Sequence, residues 1–373
     1  MSETVTRMAT GAGDGAVVGK PLASEAAGSF LSAAGEMVLS VRDLKVHFRV
    51  PRGAYPWSPK ATLRAVDGVS FDVRRGETVG LVGESGCGKS TLARAIIGLT
   101  PVTAGSVRWR DTETVRDGHR PTAAMERLRK DVQMVFQDPL ASLDPRMTIE
   151  QIVAEPLKVQ RPGLGRDELH ARVLTMLERV GLGKHHLARY AHEFSGGQCQ
   201  RIGIARALVG EPQLVICDEP VSALDVSIQA QIVNLLRDLQ RELSLSLLFV
   251  AHDLAVVKAI SQRVLVMYLG RVMEFGTRHE VYGSPKHPYT RALLSSVPRP
   301  DPKTERTRKH AMLTGEMPSP LNLPSGCAFR TRCPEAIAAC AGEVPQPISR
   351  GTGARRVACI RVGVDLEAMP PVA

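Results

Sequence analysis

A chain of 373 residues exceeds the usual ceiling for one hydrophobic core, so one medium domain with appendages, or two domains, is expected. Hydrophobic content of 43% with 23% charged residues excludes a largely disordered chain, and the lack of any run of about 18 apolar residues excludes a spanning helix. The formal charge of +10 does not by itself select nucleic acid or anionic lipid as a partner, because a solvated basic surface has the same effect.

Residues 1–36 are rich in Ala, Gly and Ser, but Lys20 and Glu25 interrupt them and no apolar signal core forms, so a flexible cytosolic tail is expected. Residues 38–50 alternate (Val38, Leu39, Val41, Leu44, Val46, Phe48) as a strand exposed on one face does. A Pro- and Gly-containing excursion over residues 51–59 precedes a second strand at 69–73. Arg75-Gly76-Glu77 then turns the chain into an apolar run, residues 78–82.

That run feeds Gly83-Glu84-Ser85-Gly86-Cys87-Gly88-Lys89-Ser90-Thr91, with a helical pattern over 92–99. The full G-x-x-x-x-G-K-[ST] spacing between strand and helix is a phosphate-binding loop. Its glycines let main-chain N–H groups and a helix N-terminus face a polyphosphate, Lys89 supplies a cation, and Ser90 is placed to hold Mg²⁺. Cys87 fills a free position as a tolerated small residue.

Residues 132–136 form another short apolar run ending at Gln137, where α/β sheets place ligand contacts. A helical insert then interrupts the sheet over about 138–209. It holds one helix at 148–159 and another carrying Leu169, Val173, Met176, Leu177 and Val180. Inside it stands Phe194-Ser195-Gly196-Gly197-Gln198, read either as an N-cap with two turn glycines or as a second anion-holding helix start.

Gln213-Leu214-Val215-Ile216-Cys217 reads as a strand buried on both faces, closed by Asp218 and Glu219. Asp218 is placed to reach Mg²⁺, and Glu219 is the natural general base on an attacking water. Ser222 to Asp225 caps an amphipathic helix carrying Ile228, Ile232, Leu235, Leu236 and Leu239. A further buried strand, 246–250, ends near His252, which is read as a phosphate sensor because it follows Gln137 and Asp218 in closing a strand on a polar residue. Residues 263–268 and 270–275 read as a hairpin.

This ordered set resembles the nucleotide-binding subunit of ATP-binding cassette (ABC) transporters, over about residues 38–359. The resemblance implies an α/β fold, an ABC-type P-loop domain with a RecA-like core, an antiparallel β lobe and a helical subdomain, followed by a C-terminal extension. The expected division is a tail over 1–36, a nucleotide-binding domain over 37–290 with its helical subdomain at about 138–209, and an extension over 291–373. It also implies head-to-tail pairing, in which Ser195, Gly196, Gly197, Gln198 and Asp225 serve nucleotide held by a second cassette. The signature usually begins with Leu, and Phe194 stands there. An aromatic residue should stack on adenine. Phe48 matches best, with Tyr55 and Trp57 as alternatives.

His287-Pro288-Tyr289-Thr290-Arg291, Gly315 to Pro320 and Gly326-Cys327 look like the extension of oligopeptide and dipeptide importers. The chain is most similar to the F-type ATPase subunit of the oligopeptide importer. This implies an ATPase that uses ATP and Mg²⁺ to drive peptide uptake from the cytoplasmic face of the membrane. It also implies a related second ABC ATPase in a heterodimer, two permease subunits and an extracytoplasmic peptide-binding protein. In that reading Gln137, Ser90 and Asp218 serve the metal, Gln137 and His252 read the γ-phosphate, and Glu219 activates water. No nucleic-acid partner is expected: the chain has one cassette and no heptad insertion. The basic cluster Arg299, Lys303, Arg306, Arg308 and Lys309 reads as a charged linker.

Four of the seven cysteines, Cys327, Cys333, Cys340 and Cys359, lie close together in sequence, a complete ligand set for a [4Fe–4S] cluster or for Zn²⁺. No C-x₂-C pair is present, which speaks against an ordinary zinc ribbon. Members of the resembling importer class can carry an iron–sulfur cluster here, and unliganded thiols are the third alternative.

Overall fold

The computed structural model describes residues 35–51, 59–117, 123–222, 224–297, 315–349 and 355–362. Tyr55, Trp57, the basic cluster at 299–309 and nearly all of the expected tail lie outside them.

The strands β1 (Met37–Pro51) and β2 (Lys60–Arg74) pair antiparallel from end to end. The second strand is thus longer than the apolar stretch at 69–73, because its first half, with Arg64 and Asp67, draws its order from the β1 ladder rather than from burial. Next come β3 (Thr78–Val82) and helix α1 (Lys89–Ile96). Strands β4 (Ala104–Trp109) and β5 (Thr112–Arg116) complete a four-stranded sheet of order β2-β1-β4-β5. Neither was legible by alternation: Arg108, Thr112, Glu113 and Arg116 leave them short and polar.

Helix α2 (Ala123–Asp131) leads into β6 (Val132–Val135), the edge of the second sheet. The insert contributes α3 (Ile149–Gln160), α4 (Arg166–Arg179) and α5 (Gly196–Leu208). Thr148 and Gln151 form a reciprocal capping box at the start of α3, satisfying two N–H groups that the helix itself cannot. Ile152, Val153, Val173, Leu177 and Ile202 join one core.

The remaining elements are β7 (Leu214–Asp218), α6 (Val226–Leu243), β8 (Ser246–Ala251), α7 (Leu254–Ile260), β9 (Arg263–Tyr268) and β10 (Arg271–Thr277). After α8 (Arg278–Gly283) and α9 (Pro288–Ser295), two short strands, β11 (Ile348–Ser349) and β12 (Arg356–Val357), extend the sheet beyond β10. The sheet order is β11-β12-β10-β9-β3-β8-β7-β6, and β6, β7, β8, β3 and β9 run parallel.

Every residue of β3, β7, β8 and β9 is buried, as a sheet covered on both faces requires. Alternation sends Val215, Cys217, Leu247 and Phe249 into the core shared with the insert, and Leu214, Ile216, Leu248 and Val250 into the core shared with the β lobe. Burying each such side chain contributes about 1.5–3 kcal/mol before entropy is counted. The parallel strands therefore end together, and the segments that leave β6, β7, β8 and β3 meet at a single edge.

Candidate functional site

The phosphate loop leaves β3 at the centre of the sheet, between β8 and β9. Gly88, at φ 103°, takes a backbone shape that side chains rarely adopt. A Cβ there would sit 2.0 Å from the Ala65 carbonyl oxygen. The loop closes on itself through Lys89, whose Nζ donates to the carbonyls of Gly83 at 2.9 Å and Glu84 at 3.1 Å. Phosphate oxygens are the stronger acceptors for this ammonium, so the bonds are exchangeable.

Ser90 Oγ donates to Asp218 Oδ1 at 2.7 Å, joining loop and β7. The other oxygen, Oδ2, is buried without a hydrogen bond, and Arg94 stands 3.8 Å away. Burial raises the carboxyl above the usual Asp range, partly offset by the Ser90 bond and Arg94. A buried carboxylate oxygen beside a serine hydroxyl is the donor chemistry that Mg²⁺ prefers, and these residues fit that ion.

Glu219, at φ 46°, is the convergence point. Gln137 Nε2 donates to its Oε2 at 3.1 Å, His252 Nδ1 stands 3.6 Å from the same oxygen, and Lys89 Nζ is 3.9 Å from Oε1. Residues from the ends of β6 and β8 and from the loop thus surround the carboxylate that follows β7. The adjoining cleft, about 280 Å³, is lined by Phe48, Ser85, Lys89, Thr91, Gln137 and Glu219 among others. Phe48 stands on its β-lobe wall.

Ser195, Gly196, Gly197, Gln198 and Asp225 do not line that cleft. Ser195 and Gln198 are occupied with each other in a capping box at the start of α5. Asp225 occupies the N-cap position of α6, yet its side chain makes no capping bond, which corrects the expected cap. The next residue, Val226, is 82% exposed, an apolar side chain with nothing on it. At Phe194 the Arg189 guanidinium stands 4.7 Å from the ring centroid and the His186 ring 5.3 Å from it.

Cys327, Cys333, Cys340 and Cys359 line one small cavity of about 20 Å³. Burial raises the Cys327 and Cys359 thiols and pushes Cys333 up to about 12, so a lone thiolate is disfavoured there. Among the described residues no group of three or more His, Cys, Asp or Glu side chains closes on a metal ion, which leaves the expected [4Fe–4S] or zinc site without a formed ligand shell. The thiols share a cavity without meeting at one point.

Sequence reasoning missed Arg64, Leu269 and Pro320 in the cleft, and Tyr289 and Arg332, which hold Glu84. Arg332 stood in a segment singled out only for its cysteines. A partner 248 residues away leaves no local spacing to detect.

The parallel sheet, the phosphate loop and the acidic end of β7 define a P-loop ATPase of the ATP-binding cassette class. Residues 66–222 match the ABC transporter family profile, and residues 273–340 match the oligopeptide/dipeptide transporter C-terminal region. The oligopeptide transport ATP-binding protein OppF of Escherichia coli (strain K12) is 58% identical over 328 residues, 88% of this chain and 97% of that protein. OppF of Haemophilus influenzae is 55% identical, over 88% of this chain and 98% of its own length. The chain belongs to the ATP-binding proteins of the ABC-type oligopeptide/dipeptide transporter family.

Solved structures agree on the fold. One is cbiO1 from Clostridium perfringens, part of the ABC transporter complex cbiONQ, with TM-score 0.56 and 30% identity over 67% of this chain and 92% of that one. Another is the dimeric ATP-binding cassette MJ0796 bound to ADP and Pi, with TM-score 0.57 and 26% identity over 64% of this chain and 98% of that one.

Proposed function

We propose that this chain is the ATP-hydrolysing subunit of an importer that drives oligopeptide or dipeptide uptake across the cytoplasmic membrane. The observation that carries the reading is an importer-type C-terminal region joined to a cassette whose acidic, amide and imidazole groups converge on one cleft. Lys89 and the loop N–H groups bind the phosphates of ATP. Ser90, Asp218 and Gln137 would hold Mg²⁺, which when bound neutralises phosphate charge. Glu219 takes the proton of the attacking water, and Gln137 and His252 orient water and γ-phosphate. Catalysis of this kind is mostly positioning and charge stabilisation.

The exposed Ser195–Gly196 corner and Val226 support pairing with a second cassette, in a heterodimer with a related ATPase. A groove of about 1090 Å³ between the core and the insert, with Leu99, Phe136 and Val159 on its walls, suits an apolar permease segment. Gln137 lines both this groove and the nucleotide cleft, which offers a route from docking to chemistry. The remaining partners are two permease subunits and an extracytoplasmic peptide-binding protein, with the chain on the cytoplasmic face. Among the described residues no helix is long and apolar enough to cross a membrane.

The domain division is a nucleotide-binding domain over 37–290, with its helical subdomain at about 138–209, and an extension over 291–373. The four cysteines are read as ligands of an iron–sulfur cluster. What supports this reading is that the four thiols line one cavity and are four in number, a complete ligand set for such a cluster. Such a cluster would supply cross-linking of the extension. Co-purification from detergent-solubilised membranes tests the assignment: permease subunits and a second ATPase should accompany the chain, and recovery without them contradicts it.

A further inference from the structure

The phosphate loop is gripped from beyond its own strand and helix, and one of the gripping side chains, Arg332, belongs to the C-terminal extension. Arg332 Nη1 donates to both carboxylate oxygens of Glu84, at 3.1 and 2.8 Å, and to Tyr268 Oη at 3.3 Å. The main-chain N–H of the same Glu84 donates to Tyr289 Oη at 3.0 Å, while its carbonyl accepts from Lys89 Nζ. One loop residue is therefore held by its side chain and N–H from the C-terminal side, and through its carbonyl holds the lysine that must meet phosphate.

The gripping parts are packed together. Phe329 packs its ring against Tyr268 at 5.4 Å and Tyr289 at 5.3 Å. Arg332, 8% exposed, stands in the turn between Cys327 and Cys333. Gly326 anchors that turn at φ 64°, where a Cβ would lie 2.3 Å from the Cys340 carbonyl oxygen. Pro320, from the same extension, lines the nucleotide cleft itself.

A loop of this glycine content is costly to order on its own, because glycine loses the most conformational freedom. An external ion pair that holds it before nucleotide arrives removes part of that cost from binding. We infer that the C-terminal extension is a working part of the nucleotide site, in which Arg332 is a positioning residue that presets the phosphate loop through Glu84. The inference rests on the ATP-binding reading of the loop and goes beyond it.

The test measures MgATP affinity of the full-length chain with a fluorescent nucleotide, and KM and kcat in the assembled transporter. The variants are Arg332→Gln, Arg332→Lys, Glu84→Gln and the double Glu84→Gln/Arg332→Gln. Arg332→Gln should weaken MgATP binding about 5- to 50-fold, a typical coupling between linked sites. KM should rise while kcat at saturating ATP stays within about twofold, as loss of uniform binding demands. Arg332→Lys should recover part of the loss, and the double variant should bind no worse than the weaker single one.

Native affinity in both single variants, or losses that simply add in the double variant, would overturn the inference. Should Arg332→Gln fail to fold, Glu84→Gln breaks the same pair from the loop side and carries the test. Failure of the wild-type chain to bind MgATP would instead overturn the reading of the loop, and the inference with it.

Discussion

Gln137 and Glu219, 82 positions apart in the chain, meet at 3.1 Å, with the amide Nε2 donating to the carboxylate Oε2. The pairing exists because β6 and β7 are parallel neighbours in a register that sets Val135 beside Cys217, two residues before Gln137 and Glu219. Since Gln137 also lines the groove between core and insert, the contact joins the proposed docking surface to the proposed base. Gln137→Ala should lower peptide-stimulated ATPase activity about 10- to 100-fold, in the range of lost orienting contacts, with a smaller effect on ATP affinity. Steady-state kinetics of the complete transporter decides this, and an unchanged stimulated rate would remove Gln137 from the mechanism.

Asp218 carries a pH signature. Burial raises its carboxyl, so the ligand-free fold is favoured while the acid stays protonated and loses that advantage as pH rises through the raised value. The proposed binding of Mg²⁺ at Asp218 would need the ionised form and run the opposite way. Mg²⁺-dependent nucleotide affinity should therefore fall as pH is lowered, beginning above the range of an ordinary aspartate. Asp218→Asn should abolish the metal dependence. Affinity measured against pH in both proteins tests the sign.

His287, the N-cap residue of α9, makes the fold acid-sensitive. Its ring is buried, Nδ1 accepts the Tyr289 N–H at 3.0 Å, and burial lowers its pKa from 6.5 to about 3. A histidine held neutral contributes stability that is present above the unfolded value and lost as pH falls through the window between the two. Thermal midpoints should drop from about pH 6.5 downward, and His287→Gln should flatten that slope. A wild-type midpoint independent of pH over this range would contradict the assignment.

How much of this was readable in advance differs by feature. The phosphate loop and the buried run before Asp218 were legible because each is a local pattern: a spacing of glycines and a lysine, or a strand too apolar to face water. Strands β4 and β5 were not, since short polar strands are held by pairing, β4 between β1 and β5 and β5 at the sheet edge, rather than by their own composition. Of the two readings of Ser195 the structure bears out the helix cap, made with Gln198 at the start of α5. The Glu84–Arg332 pair was invisible, because tertiary contacts between distant segments obey no spacing rule.

The cysteine cavity gives a compositional prediction. Protein purified without oxygen should contain iron and acid-labile sulfide in equal amounts, and Cys333→Ser should lose both. Zinc alone, or neither element, would refute the cluster.

The central claim is that ATP hydrolysis at Glu219 powers uptake, and the most direct measurement is transport of a labelled peptide into proteoliposomes holding the complete importer, with nucleotide binding followed in parallel. Glu219→Gln should bind ATP normally while hydrolysis and uptake both fall at least about 100-fold, as expected for a lost general base. Peptide uptake at the native rate in that variant would contradict the account.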